Sequence, residues 1–448
     1  MSNNHFLCTL FSHPQDHQSG DYLHRVAWPG KALGRFIPVH AVQSCHPDHL
    51  RELAHSDVLV IQMVADAKLL GVIQRRRQQG KITVFEISDD FTAFPSHLPG
   101  HAFYANEEVQ QTITTLASES DAVQFSGLFL EQKYRDLNPT HTVFPNQLIS
   151  VPVLKPSKKR KPALGWAGSI GHFDDAKRLA GILSRWPLKH QVQLHIMAAP
   201  KIIQLFLDAR LDVQASPTGD MSAYLDFLKK IDIGLAFANT DDFSSGRSDG
   251  KFIEYASRGV VAACTDGPPY ADSINNGETG FLFGNEAEML NILTRLVEDA
   301  ELRRRIRRQA HQYIRSHRTH AKAAEDRYSF YAQLIDSRGT LSSKDDATAA
   351  AGYKEIIADI EAPCLQAMLL HREGRIPEAI QIYTRLVEQA PDFYMLWERM
   401  SQACAAIGAR EQANSCNTRA RLLLEQDYSR HGMNANAQAA GSRPAHPC

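Results

Sequence analysis

This sequence lacks long hydrophobic runs. None of its apolar stretches reaches the roughly 18 residues that a membrane-spanning helix needs. The first residues, MSNNHFLCTLFSHPQDHQ, have neither the basic start nor the longer apolar core of a secretory signal peptide. Together these absences predict a cytoplasmic protein with at most peripheral contact to a membrane.

Cysteine pairs and an excess of charge of either sign are also missing. The seven cysteines are scattered and contain no C-x-x-C pair, so they indicate reduced thiols and argue against a disulfide framework or a cysteine zinc site. The 49 basic residues are matched by 50 acidic ones, which gives no global argument for nucleic acid. We therefore expect no metal, no cofactor and no nucleic-acid partner.

What the sequence does have is a repeated alternation of apolar runs and helical patterns. Between about residues 36 and 150, runs such as DVLVIQMV and KITVFEI alternate with stretches such as AKLLGVIQRRRQQG, and a second series runs from ALGWAG to DIGLAFA. Strand and helix in alternation favour parallel sheets covered on both faces. The predicted fold class is α/β, with two Rossmann-like doubly wound parallel-sheet domains followed by a small all-α helical-repeat segment.

The length of 448 residues suits two or three domains. We assign residues 1–155 to an N-terminal domain, 156–336 to a second domain, 337–354 to a linker, 355–426 to helical repeats and 427–448 to a disordered tail. In the repeats, Gly374 and Gly408 are 34 residues apart, as are Ala379 and Ala413. That period is typical of tetratricopeptide repeats, and two units are too few to be stable alone, so we expect them to dock on the rest of the chain or on a protein partner.

One stretch, residues 248–280, combines polar groups with glycine and proline turns. Lys251 and Glu254 lie on a predicted short helix, which is followed by Gly259, the apolar run VVAA, and a loop that contains Tyr270. The spacing of three residues places both charges on one helical face, where they can reach one bound molecule. The alternative is an exposed ion pair that contributes only a few tenths of a kcal/mol.

Two further loops follow predicted strands of the second domain. Gly168 and Ser169 come after ALGWA, and His172 follows just before a helix. Glycine lets the backbone approach a ligand closely, and the amides of a helix N-terminus bind phosphate. His172 is a candidate ligand for phosphate or sugar, with a purely structural histidine as the alternative. Arg247 ends a Ser/Gly/Asp-rich loop that is the best candidate for the floor of a sugar pocket.

In the first domain, Ser88, Asp89 and Asp90 follow the strand KITVFEI. Ligands of open parallel sheets gather at the carboxyl ends of the strands. A carboxylate there, for which we choose Asp90, can bind sugar hydroxyls or accept the proton of an acceptor. The alternative is that these residues only form a turn or a helix cap.

The pattern K-x-x-E-Y-x-x-x-G, followed by a small apolar strand, G-P-x-Y and G-x-T-G-x-L, resembles the donor-binding half of group 1 glycosyltransferases of the GT-B fold. The resemblance implies that residues 1–155 bind the acceptor and residues 156–336 bind a nucleotide-sugar donor. It implies that Glu254 binds the ribose hydroxyls, that Lys251 lies near the diphosphate, and that the loop of Gly168 and Ser169 meets the donor phosphates. Retention of anomeric configuration is also implied.

The sequence departs from that family at one position. The family's E-x7-E pattern has an acid eight residues before the residue that matches Glu254, and here that position is Gly246. The predicted function is therefore transfer of a sugar from a nucleotide sugar to a glycan, a carrier-linked acceptor such as a carrier lipid, or a protein, with catalysis assigned to Asp90, His172 and Lys251. Donor binding is assigned to Gly168, Ser169, Arg247, Lys251, Glu254 and Tyr270.

Two other functions stay open. A catalytically degenerate GT-B scaffold that acts through its repeats is the main alternative, and a GT-B epimerase or phosphorylase is the second. An arginine-rich helix around residues 303–318 is interpreted as a solvated face, with contact to anionic lipid or a phosphorylated acceptor as the alternative.

Overall fold

The structure, a computed structural model, describes residues 5–96, 98, 100–154, 161–237, 241–338 and 350–431. Within these residues the strands form two sheets, one of seven strands and one of six, and their neighbouring strands are parallel. The predicted fold class, two parallel-sheet α/β domains with a helical segment after them, is confirmed.

The strands, in chain order, are β1 Cys8–Ser12, β2 Pro38–Gln43, β3 Val58–Gln62, β4 Ile82–Ile87, β5 Ala122–Phe125, β6 His141–Val143, β7 Ala163–Ala167, β8 Gln193–Met197, β9 Val213–Ser216, β10 Ile233–Ala236, β11 Val261–Thr265, β12 Phe281–Phe283 and β13 Gly352–Ile356. The first sheet has the order β13-β2-β1-β3-β4-β5-β6 and the second the order β12-β11-β10-β7-β8-β9.

The α-helices are α1 Gly20–Tyr22, α2 Trp28–Leu33, α3 His49–His55, α4 Leu69–Gln78, α5 His101–Tyr104, α6 Glu107–Glu119, α7 Leu128–Tyr134, α8 Phe173–Arg185, α9 Pro200–Asp208, α10 Met221–Leu228, α11 Asp242–Ser245, α12 Gly250–Ser257, α13 Glu286–Glu298, α14 Ala300–His317, α15 His320–Arg338, α16 Glu361–Arg372, α17 Ile376–Gln389, α18 Tyr394–Ala406 and α19 Arg410–Arg430. A π-helical turn, Leu23–Ala27, joins α1 to α2.

The central strands are buried along their whole length because helices cover both faces of each sheet. Every residue of β3 and of β4 is buried, as is every residue of β10. Continuous burial of this kind is what a parallel sheet covered on two sides requires. The carboxyl ends of β4, β7 and β10 lead into the loops that carry the polar residues singled out above.

The helical segment packs on the first domain. Helices α16 to α19 form two helical pairs, and their buried residues, such as Cys364, Tyr383 and Leu396, join one apolar core with residues of β3 and β4. Gly374 and Gly408 lie in the turns within the two pairs, with φ of 78° and 79°. The predicted docking on the chain is therefore present, whereas the tetratricopeptide assignment stays a prediction.

Three of the predicted domain boundaries differ from the boundaries that the packing of the helices and strands indicates. Helix α15, which was assigned to the second domain up to residue 336, places Tyr331, Leu334 and Ile335 in the core of the first. Residues 352–354 belong to strand β13, which pairs with β2, and not to the linker 337–354, of which residues 339–349 lie outside the described part. Helix α19 extends to Arg430 and so includes the first residues of the predicted tail, which is otherwise outside the described residues from 432 on.

Among the described helices, none is both long enough and apolar enough to cross a membrane.

Candidate functional site

The polar residues after the strands of the two domains meet where the domains contact each other. Among the residues that the structure describes, three polar side-chain pairs cross this boundary: His24 with Glu254, Asn146 with Ser248, and Lys133 with Asp242. A fourth contact is apolar, with the rings of Phe94 and Phe243 packed edge to face at 4.7 Å. The segment 242–254 of the second domain therefore lies against the carboxyl edge of the first sheet.

Helix α12 carries Lys251 and Glu254, and both point into the protein. Glu254 is only 7% exposed, and its Oε1 accepts a hydrogen bond from Nε2 of His24 at 3.1 Å. Lys251 Nζ donates to the carbonyl oxygen of Ala167 at 2.9 Å and lies 4.8 Å from the centre of the Tyr224 ring. The alternative of an exposed ion pair is therefore wrong. Gly259, with φ of 73°, ends the helix in the left-handed conformation that favours glycine.

The environment of Lys251 suits an anionic ligand. Burial lowers the pKa of this ammonium, and the nearby carboxylate of Glu254 opposes that effect. The hydroxyl of Tyr224 is buried close to the carboxylate of Glu254, and burial together with that carboxylate raises the pKa of Tyr224 well above its ordinary value. An ammonium has three N–H donors, and Lys251 uses one of them on Ala167, so a ligand anion can accept from the others.

The loop after β7 lies directly beside Lys251, because Ala167 is the last residue of that strand. Gly168 follows, and a Cβ at this position would overlap the ring of Trp166, so only glycine fits. Ser169 comes next, and its carbonyl oxygen accepts from the backbone amide of His172 at 3.0 Å. The structure thus brings the predicted residues Gly168, Ser169 and Lys251 together.

His172 joins this loop to Arg247. Its Nδ1 lies 3.0 Å from Oδ2 of Asp175, and its Nε2 lies 3.3 Å from Nη1 of Arg247. Burial lowers the pKa of His172; the hydrogen bond to Asp175 opposes this, and the charge of Arg247 adds to it. A neutral ring that donates from Nδ1 and accepts at Nε2 satisfies both contacts. We name the group Gly168, Ser169, His172, Arg247, Lys251 and Glu254 the α12 cluster.

Tyr270 lies elsewhere. It is 5% exposed and belongs to an apolar core that contains Ala167 and Tyr255. It therefore packs beneath the α12 cluster, and a contact with ligand stays a prediction.

Gly246, where the resembled family has an acid, is in close contact with the first domain. A Cβ built on it would lie 3.0 Å from Cδ2 of Leu130 and 3.2 Å from the Cβ of Asp90. These contacts are tighter than ordinary van der Waals separations, so a side chain here requires Leu130 or Asp90 to shift. Gly246 therefore lies at a point where the two domains approach each other closely.

Asp90 is fully buried and its oxygens are already engaged. It accepts hydrogen bonds from Lys133 Nζ at 2.7 Å, from the Tyr134 hydroxyl at 2.5 Å, and from the Thr92 hydroxyl at 2.9 Å. Burial alone would raise the pKa of Asp90, but the hydrogen bonds from Lys133, Tyr134 and Thr92 outweigh it and hold the pKa below its ordinary value. A carboxylate bound in this way is a poor proton acceptor, so the geometry does not favour the predicted catalytic role of Asp90.

Its neighbour Asp89 has the opposite character. It is half-buried, and burial together with the charge of Asp21 raises its pKa to about 7. Asp21 accepts a hydrogen bond from Gln62 at 3.1 Å, at the end of β3. These residues line the carboxyl edge of the first sheet, and Arg247 of the α12 cluster is close enough to lower the pKa of Asp89.

Sequence reasoning missed His24, Arg25 and Asp21. All three lie in the helical segment after β1, which the sequence analysis left unassigned. Two signals were present: the apolar run CTLFS, and Ser19, whose hydroxyl caps α1 by accepting from the amide of Tyr22 at 3.1 Å. A strand followed by a capped helix marks the start of a doubly wound domain.

The arginine-rich helix α14 is partly structural. Arg307 donates to the carbonyl oxygen of Gly259 at 2.9 Å, and Arg318, the residue directly after α14, binds both oxygens of the buried Asp249 at 2.5 and 2.9 Å. The interpretation of a solvated face is therefore wrong for these two arginines, which hold the ends of α12 in place.

The sequence and the fold are both similar to those of known proteins. Residues 178–327, about a third of the chain, match the family model described as "Glycosyl transferase-like". The second domain is therefore a glycosyl transferase-like domain. No curated protein matches the sequence.

Solved structures similar to this chain share its two-domain fold. Sucrose-phosphate synthase from Thermosynechococcus elongatus matches with a TM-score of 0.57 at 13% identity, over 74% of this chain and 99% of the other. Anabaena HepE in complex with UDP-glucose gives 0.55 at 13% identity, over 75% and 100%. A glycosyltransferase from Rickettsia africae gives 0.52 at 11% identity, over 74% and 99%. The chain has the two-domain fold of these proteins, which is GT-B.

Proposed function

We propose that this chain, a glycosyltransferase of the GT-B type by its fold and by the family match in its second domain, moves a sugar from a nucleotide-sugar donor to an acceptor bound by the first domain. The observation that carries the proposal is the placement of Lys251 beside the Gly168 loop, with Glu254 one turn away and buried. The similar HepE structure was obtained with UDP-glucose, so uridine donors are the first to test.

The α12 cluster supplies what departure of a nucleoside diphosphate requires. Lys251 and Arg247 are cations that can face the diphosphate, and Gly168 lets the backbone come close. Charge-assisted hydrogen bonds of this kind contribute about 1.5–3 kcal/mol each, and those that strengthen in the transition state accelerate the reaction. Because these side chains provide positive charge, we propose that transfer needs no metal and continues in the presence of EDTA.

On the acceptor side, Asp89 is better suited than Asp90 to receive a proton. With a pKa of about 7, a fraction of Asp89 is protonated at neutral pH, and a base matched to the working pH is efficient. We propose a glycan, carrier-lipid or protein acceptor, transfer with retention, and a role for the helical pairs in holding a protein partner.

The test is nucleotide binding. A thermal-shift panel of nucleotide sugars identifies the donor, and calorimetry then compares the wild type with Glu254→Gln. The substitution should weaken binding by about 1–3 kcal/mol, or about 5-fold to 150-fold in Kd, because ribose hydroxyls bind a carboxylate more strongly than an amide. Glu278→Gln, an exposed glutamate of the same domain, is the matched control and should leave Kd unchanged. Equal affinity of Glu254→Gln and the wild type would contradict the assignment.

A degenerate scaffold is favoured by one observation, the contact of Gly246 with Leu130 and Asp90 where the family has an acid. Incubation with the donor that the panel identifies, with and without candidate acceptors, separates the two functions. Release of nucleoside diphosphate supports the transferase, whereas binding without turnover supports the scaffold.

A further inference from the structure

The buried hydrogen bond between His24 and Glu254 joins residues of different domains. His24 lies on the π-helical turn Leu23–Ala27 of the first domain and is 5% exposed, and Glu254 is 7% exposed. The ring of His24 packs edge to face against Trp28, with centroids 4.4 Å apart, which fixes its orientation. Since a carboxylate only accepts hydrogen bonds, Nε2 of His24 carries the hydrogen that is donated to Oε1 at 3.1 Å.

The turn that carries His24 is itself held firmly. The next residue, Arg25, donates to Glu86 Oε1 at 2.8 Å and to Asn146 Oδ1 at 2.9 Å. The side-chain amide of Asn146 in turn donates to Ser248 Oγ at 3.0 Å, just before α12. The first domain therefore forms hydrogen bonds at two points of this segment: Asn146 bonds to Ser248 just before α12, and His24 bonds to Glu254 within it.

A carboxylate has two oxygens and about four positions that accept hydrogen bonds. His24 uses one of these and the hydroxyl of Tyr224 lies close enough to use a second, which leaves two positions for the two hydroxyls of a ribose. We propose that His24 is a positioning residue: its hydrogen bond orients Glu254 for the ribose of the donor nucleotide and makes nucleotide binding depend on the closed contact between the domains. This inference rests on the proposed role of Glu254.

The opposite role would be a latch, in which His24 occupies Glu254 and must leave before a nucleotide binds. The two roles predict opposite changes when the donor atom is removed. A positioning residue raises affinity, so its loss weakens binding. A latch competes with the ligand, so its loss strengthens binding.

The chain allows a matched pair of variants. In His24→Gln the side-chain amide nitrogen can take the place of Nε2, whereas in His24→Asn the shorter amide cannot reach Glu254. Calorimetry with UDP, GDP and ADP, each in turn, compares these variants with the wild type, with Glu254→Gln, and with the double variant His24→Asn/Glu254→Gln. Circular dichroism and urea midpoints confirm that each variant is folded.

We expect His24→Asn to weaken binding on the order of tenfold, the scale of one hydrogen bond to a charged group, and His24→Gln to restore most of the affinity. The double variant should bind about as weakly as Glu254→Gln alone, because His24 acts through Glu254. Unchanged or tighter binding by His24→Asn, no rescue by His24→Gln, or additive losses would overturn the inference while leaving the nucleotide site intact. Failure of the wild type to bind any of the three nucleotides would overturn the proposed function and this inference together.

Discussion

Substitution of Lys133 by methionine tests whether Asp90 has a structural role. In the wild type, Lys133 Nζ lies 2.7 Å from Oδ2 of Asp90, whose side chain is 0% exposed, while the side chain of Lys133 is 27% exposed. Methionine keeps much of the apolar stem and removes the charge. The variant therefore leaves a buried carboxylate without its cation.

The size of the effect follows from the burial of the pair. Removal of one partner from a buried ion pair costs about 3–5 kcal/mol. Lys133 is partly exposed, and Asp90 keeps its hydrogen bonds to Tyr134 and Thr92, so we expect about 1–3 kcal/mol at pH 7. Lys229→Met is the matched control, because Lys229 lies 2.5 Å from Asp226 with both side chains more than 60% exposed. An exposed pair of this kind contributes little to stability because solvent screens it.

The dependence on pH gives a second measurement. The pKa of Asp90 is below its ordinary value in the folded protein, so its contribution to stability is fully present above the unfolded pKa and is lost as pH falls through the folded pKa. The gap between wild type and Lys133→Met should thus narrow below about pH 4, the usual pKa of aspartate. Urea midpoints followed by circular dichroism report both effects. Equal losses in Lys133→Met and Lys229→Met at pH 7, or a gap that persists at low pH, would refute the reasoning.

Two further predictions concern glycines. Gly246→Glu should cost about 1–3 kcal/mol of stability and lower nucleotide affinity, because the new side chain collides with Leu130 and Asp90 and so does not act as the family's acid. The melting temperature and calorimetry check this, and Gly181→Ala, which has open space around it, is the control. Gly374→Ala and Gly408→Ala should each cost about 1 kcal/mol in urea unfolding through the positive φ alone, since a Cβ meets nothing within 4 Å. Gly352→Ala is the control, because it has equal space in the extended strand β13; it should be close to neutral, and equal effects at all three would contradict this.

Much of the fold could be predicted because buried parallel strands are continuous apolar runs. The runs DVLVIQMV and KITVFEI contain β3 and β4, and the run VVAA overlaps β11. Strand β13 could not be predicted in this way. Its five residues, GYKEI, are all half-buried or exposed, and it is a strand only because its backbone pairs with β2, more than 300 residues earlier. Such non-local pairing leaves no periodic signal in the sequence.

The candidate site likewise has features that local sequence patterns predicted and features that they could not predict. The i, i+3 spacing of Lys251 and Glu254 predicted that both face one direction, and they do. The choice between Asp89 and Asp90 could not be made from two adjacent acids, because it depends on Lys133 and Tyr134, more than 40 residues away, which engage one carboxylate and leave the other half-exposed. Likewise, Glu254 has a first-domain partner, His24, which is 230 residues distant in the chain.

The three polar pairs across the domain boundary do not contribute equally to closure. In the pair of Lys133 with Asp242 the side chains are 27% and 64% exposed, so solvent screens it and its net contribution is small. Asn146 is buried, and the pair of His24 with Glu254 is buried on both sides. If the domains separate, Glu254 exchanges His24 for water, whereas a bound ribose gives it further partners that favour the buried arrangement. A ligand shifts an equilibrium only by its differential affinity for the two states, so a donor bound as proposed would favour closure through the contacts of α12 that exist only in the closed arrangement. The same short helix would then recognise the nucleotide and hold the two domains together.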